Sequence, residues 1–189
     1  MKTKVLTFLI LMISFSIAIH AQSKKTIKKF KIKSAKVTVV ESIDGKEQTR
    51  AVSYQKFNNS GHVIEDVEYN KNGTFKKKET KKFNNNEDPI EEIIYDEKGD
   101  FVKKTITEYN TNKDKTTESV FDSKDKLIEK TVYSYSANGD KTVELNTDDT
   151  GKTIKKSVFS YDKNGLKIEK KTFNGNGIII STKKYTYEF

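Results

Sequence analysis

The chain contains no cysteine. No disulfide can staple it, thiol chemistry is closed to it, and no lipid can be attached through an N-terminal cysteine. Arginine is nearly as scarce, since of the 36 basic residues only Arg50 is arginine. Base-specific reading of nucleic acid leans on bidentate arginine. Lysine spread evenly over strands mainly keeps exposed sheet soluble and its edges unpaired. Nucleic acid is therefore not expected as a partner, despite a net charge of +9. Histidine is limited to His20 and His62. His62 follows a turn glycine and reads as a solvated rim residue.

Apolar material is also short, at 33% of the chain. Much of it sits in one place. After MKTK comes the run VLTFLILMISFSIAI and then HAQ, a cationic start, an apolar stretch and a small residue, Ala21, at a cleavage position. This is the layout of a secretory signal peptide over residues 1–21. The run is shorter than the roughly 20 residues a spanning helix needs. Removing it would take away Lys2 and Lys4 and lower the apolar fraction to roughly 29%, too little for a thick core. No second apolar segment follows, so no transmembrane segment is expected after cleavage. The expected location is periplasmic, outer-surface or extracellular. Residues 22–35 form a basic N-terminal segment, read as a frayed tail or a weak first strand.

What remains, residues 36–189, is repetitive. Aligning on an aromatic position gives Phe57, Tyr69, Phe83, Tyr95, Tyr109, Phe121, Tyr135, Thr147, Tyr161, Phe173 and Tyr187, with spacings that alternate between 12 and 14. The true unit is thus 26 residues and two strands. The residue after each of the first ten is Asn, Asp or Ser. Four after the aromatic comes glycine, except at Glu87, Lys113 and Asp125. A type I turn favours a short polar side chain at its first position, and a three-residue hairpin loop closes on a left-handed residue that glycine supplies without a Cβ penalty. Each phrase is a tight turn between antiparallel strands. An earlier hairpin is expected to turn at Asp44-Gly45.

Between turns the chain alternates with period two and is rich in Thr, Val, Ile and Tyr, which favour strands. The predicted fold is all-β, an antiparallel meander of about 11–13 strands from hairpin repeats, forming a curled, mostly single-layer sheet. A regular three-residue loop would put all the slot aromatics on one face. It would leave Ile64, Ile90, Val102, Ile106, Ile128, Val132, Ile154, Val158, Ile168 and Ile180 on the other.

At YSYSANGD (133–140) and FSYDKNGLK (159–167) the chain resembles the YD repeat of the RHS family, whose signature is Tyr-x-Tyr-Asp-x-x-Gly. It is also similar to the MORN-variant hairpin repeats, which share the aromatic, Asn and Gly of the turn. The resemblance implies β-hairpins that spiral into a shell, and it carries a link to carbohydrate binding. Tyr95-Asp96 and Tyr161-Asp162 spell the literal dipeptide, and no turn ends in Gly-Arg-Leu.

No constellation for catalysis stands out. Glu91 and Glu92 are strand neighbours and face opposite ways, so they cannot converge as a glycosidase pair. Asp148 and Asp149 lie in a turn, in NTDDTG, at a spacing that matches no EF-hand. No catalytic residue, cofactor or metal is expected. The feature with binding potential is the aromatic ladder, with Tyr109, Tyr135 and Tyr161 as ligand-stacking candidates; the competing role is bracing the turns. The expected function is a non-catalytic, exported repeat protein of the bacterial envelope that binds an unidentified protein or polysaccharide surface, or supports structure there. The alternative is a carbohydrate-binding module.

Overall fold

The computed structural model describes residues 23–43 and 46–188. The leader over 1–21 and the turn at 44–45 lie outside the described residues. A short helix, α1 (Lys24–Phe30), precedes twelve strands: β1 (Ser34–Ile43), β2 (Lys46–Phe57), β3 (Val63–Tyr69), β4 (Phe75–Phe83), β5 (Pro89–Tyr95), β6 (Phe101–Tyr109), β7 (Lys115–Phe121), β8 (Leu127–Tyr135), β9 (Lys141–Asp148), β10 (Thr153–Tyr161), β11 (Lys167–Asn174) and β12 (Ile179–Lys184). They form one antiparallel sheet in chain order. The outer strands β1 and β12 do not pair with each other, so the sheet stays open rather than closing into a barrel. Twelve strands span about 50 Å.

The turns follow the sequence grammar. In the turn after β10, Asp162 N–H donates to Leu166 O (2.9 Å) and Gly165 N–H to Asp162 O (3.1 Å). Asp162 Oδ1 accepts from the N–H groups of Asn164 and Leu166, both at 2.9 Å. The three positions without glycine still adopt the left-handed backbone, with φ of 68° at Glu87, 69° at Lys113 and 61° at Asp125. Hairpin geometry therefore overrides the residue's own preference there.

One element the loop rule does not supply changes the faces. Every one of the eleven hairpin pairings carries a register shift. From the β2–β3 pairing onward it lies beside the slot aromatic or Thr147. Tyr135 pairs with Lys141, but Ser134 pairs with Val143, which leaves Thr142 as an extra residue. The extra residue is a β-bulge, and it falls seven after the slot aromatic: Ile64, Ile90, Val102, Ile128, Ile154, Ile168 and Ile180 are all of this kind. Each bulge inverts the alternation, so the rings do not share one face. Following the pairings, Phe57, Phe83, Tyr109, Tyr135 and Tyr161 lie on one face (face A), while Tyr69, Tyr95, Phe121 and Phe173 lie on the other (face B). The expected aromatic face is thus corrected to two aromatic rows. Ile106, Val132 and Val158 lie on face B with the second row.

The basic N-terminal segment also departs from expectation. Residues 24–30 are neither tail nor strand but a helix, capped by Ser23, whose Oγ accepts from Thr26 N–H at 3.2 Å. Its one buried side chain, Ile27, is 4% exposed. The helix lies against the turn after β2, where a Cβ at Gly61 would come within 2.7 Å of Lys24 O. Buried apolar residues are otherwise few: Phe57, Val67 and Phe159. The sheet is one layer with little core, as the composition demands.

Candidate binding face

Face A carries a regular row of side chains. Tyr109, Tyr135 and Tyr161 end β6, β8 and β10, half-buried and in one row, spaced about 10 Å apart because they sit on alternate strands. Their hydroxyls are engaged. Tyr109 Oη donates to Pro89 O (2.9 Å), Tyr135 to Lys115 O (2.8 Å), Tyr161 to Lys141 O (2.8 Å), and beyond the last strand Tyr187 donates to Lys167 O (2.8 Å). Burial raises the phenols of Tyr109, Tyr135 and Tyr161 above their usual range, so all three keep the proton they donate.

The lysines whose carbonyls accept these bonds form a second row that sequence reasoning missed. Lys115, Lys141 and Lys167 each stand six residues after a slot tyrosine, directly opposite it. Lys115 Nζ lies 5.7 Å from the Tyr133 ring centroid, and Lys141 Nζ lies between Tyr133 (5.1 Å) and Phe159 (4.8 Å). Lys167 Nζ lies between Phe159 (5.3 Å) and Tyr185 (5.5 Å). Ammonium groups at this range are attracted by ring quadrupoles. The signal was available, since the lysines recur at the same 26-residue spacing. Lys170 also approaches Phe159, at 5.1 Å. Burial alone would raise Glu144, but the hydrogen bond from Lys141 (2.9 Å) and the charges of Lys141, Lys170 and Lys155 together hold the carboxyl below its usual range.

At the other end of face A is a cavity of about 290 Å³ lined by Gln55, Val63, Asp66, Glu79, Lys81, Phe83, Pro89 and Glu92. Lys81 Nζ bridges Glu79 (2.7 Å) and Glu92 (3.1 Å). Gln55, only 8% exposed, donates from Nε2 to Asp66 Oδ2 at 3.2 Å. On face B a second cavity of about 390 Å³ is lined by Leu145, Val158 and Phe173 among others.

The remaining sequence candidates fall apart or change character. Glu91 pairs with Lys82 (2.7 Å) on face B while Glu92 pairs with Lys81 on face A, so the two carboxylates diverge. Asp148 Oδ1 accepts from Thr150 N–H and Lys152 N–H, and Asp149 pairs with Lys126 at 2.6 Å. Among the described residues no group of three or more His, Asp or Glu is placed to hold a metal ion. His62 is not a solvated rim residue. Its ring lies 4.6 Å from that of Phe83, and Nε2 is 3.0 Å from Glu87 Oε2. Glu87 also takes Lys24 Nζ at 2.8 Å. The bonds from Lys24, His62 and Ser60 lower its carboxyl to about 2.

No protein-family model matches the chain, and no curated protein does. Solved structures are similar at the level of fold alone. A porin-like protein from Bacteroides uniformis shares 11% identity at a TM-score of 0.48, covering 81% of this chain and 78% of its own. A protein of unknown function from Bacteroides fragilis shares 18% at 0.44, covering 60% of this chain and 94% of its own. The Photorhabdus luminescens Tc holotoxin pore shares 12% at 0.47, covering 80% of this chain. This chain spans only 9% of that toxin chain. Among the described residues no helix is long and apolar enough to cross a membrane.

Proposed function

We propose that this is an exported, non-catalytic repeat protein of the bacterial cell envelope, acting as a binding or structural module. The observation that carries this reading is the single-layer, twelve-stranded sheet. It builds an extended surface with both faces open to solvent. Half of its strand carboxylates are spent on neighbouring lysines: Glu68, Glu79, Glu91, Glu92, Glu118, Glu144 and Glu169 all sit in ion pairs. These pairings support the non-catalytic reading, because a general acid or base works best as a free group in a site that excludes water. Export rests on the leader-like start of the sequence.

A second reading, a carbohydrate-binding module, is favoured by Tyr109, Tyr135 and Tyr161 lying in one row on one face at two-strand spacing. Co-sedimentation with a panel of insoluble polysaccharides separates the two. Retention lost in a Tyr135→Ala, Tyr161→Ala variant that still folds would promote the sugar reading, and retention on no polymer would remove it. A protein partner that copurifies stoichiometrically would support the first reading. Turnover of a polysaccharide or peptide substrate would overturn both.

A further inference from the structure

Face A is electrically polarised along the sheet. On β3, β4 and β5 it presents Asp66, Glu68, Glu79 and Glu92 against Lys76, Lys77 and Lys81. All three lysines are already consumed there, Lys76 and Lys77 by Glu68, both at 2.9 Å, and Lys81 by Glu79 and Glu92 together. Two carboxylates therefore share one ammonium at the cavity, and Asp66 accepts from the neutral amide of Gln55 and, among the described residues, sits in no ion pair. On β10, β11 and β12 the same face presents Lys155, Lys167, Lys170 and Lys183 and no carboxylate. Lys167 and Lys170 are held over the ring of Phe159, itself 7% exposed, so their ammonium groups are positioned rather than free to sweep the solvent.

The two ends cannot neutralise each other within one chain. β4 and β11 are seven strands apart, about 34 Å across the sheet, and salt screens exposed charges beyond about 8 Å at physiological ionic strength. The sheet is open, so its ends do not meet. A second copy, however, brings a complementary end to each. We propose that two copies of this chain associate through face A, the lysine-bearing end of one seated on the acid-lined cavity of the other. The inference goes beyond the binding-module reading and does not depend on it, because it concerns what the chain does with itself.

Charge reversal tests it. In sedimentation velocity at about 0.02 M salt the protein self-associates, and at about 1 M salt it dissociates, since the Debye length falls to about 3 Å. A Lys167→Glu, Lys170→Glu variant and a Glu79→Lys, Glu92→Lys variant each carry like charge at both ends. Each alone associates about a hundredfold more weakly, while their equimolar mixture regains the association. Circular dichroism establishes that both are folded; if either is not, Lys167→Gln, Lys170→Gln replaces reversal and still weakens association about tenfold. A protein that stays monomeric at low salt, a reversed or neutralised variant that associates like the original, or folded variants that fail to rescue one another would each overturn the proposal.

Discussion

The Tyr135 hydroxyl donates to the carbonyl of Lys115 at 2.8 Å, and the ammonium of that same lysine lies 5.7 Å from the ring of Tyr133. Each tyrosine of the row thus ties its strand to the preceding one through backbone, and each lysine returns to the sheet through a ring. The pattern repeats at Tyr161 with Lys141 and at Tyr187 with Lys167. In a sheet with little core, such lateral ties carry a larger share of stability than they would in a sandwich.

Tyr135→Phe removes one hydroxyl bond and leaves the ring. The expected loss is about 0.5–1.5 kcal/mol in urea unfolding, with a similar loss for Tyr161→Phe. A loss confined to the Ala variants, with both Phe variants neutral, would show that the ring alone matters.

Phe159 is among the few buried rings, with Lys141, Lys167 and Lys170 gathered over it. Phe159→Ala is expected to cost about 3 kcal/mol or more. Ile154→Ser, at a bulge position 47% exposed, is expected to stay within about 0.5 kcal/mol. Equal effects from the two would contradict the burial described here.

The left-handed turn positions predict a pair of opposite outcomes. Lys113 holds φ at 69° without glycine, so Lys113→Gly should stabilise by about 1 kcal/mol in a thermal or urea melt. Glu87→Gly relieves the same backbone strain but loses the bonds to Lys24 and His62, and no gain is expected. Gly165→Ala meets open space and should cost about 1 kcal/mol from backbone alone. Gly61→Ala also collides with Lys24 O and should cost more.

Acid should release α1 first. Glu87 titrates in the folded state at about 2, below its ordinary 4.5, because Lys24 and His62 bond its ionised form. A carboxyl lowered on folding contributes its stability above the ordinary value, and that contribution fades as pH falls from about 4.5 to about 2. Melting temperature measured across that interval should fall less steeply in Glu87→Gln than in the original chain. Protection of the Ile27 amide against hydrogen exchange, taken relative to the intrinsic rate at each pH, should fall over the same interval.

Much of the fold was legible in sequence because its information is local. A short polar residue after an aromatic, and glycine three further on, specify a turn whose hydrogen bonds close within five residues, and the repeat of that phrase sets strand count, direction and neighbour order. Even Glu87, Lys113 and Asp125 were placed correctly by spacing. The allocation of residues to faces was not legible. It depends on a bulge seven after each slot aromatic, and a bulge is a property of how two strands twist together, not of either strand's composition. One extra residue per hairpin was enough to divide the rings between two faces. It also turned expected stripe residues such as Ile128 and Ile154 into exposed bulge residues.

The sequence by itself determined the turns, the period and the single antiparallel layer, since each is closed by contacts a few residues apart. Only the tertiary structure decided which side each ring occupies, that residues 24–30 coil into a helix against the first repeat turn, and that phenols reach carbonyls 20 residues upstream. Those outcomes rest on twist and on contacts between different strands, which no local pattern encodes.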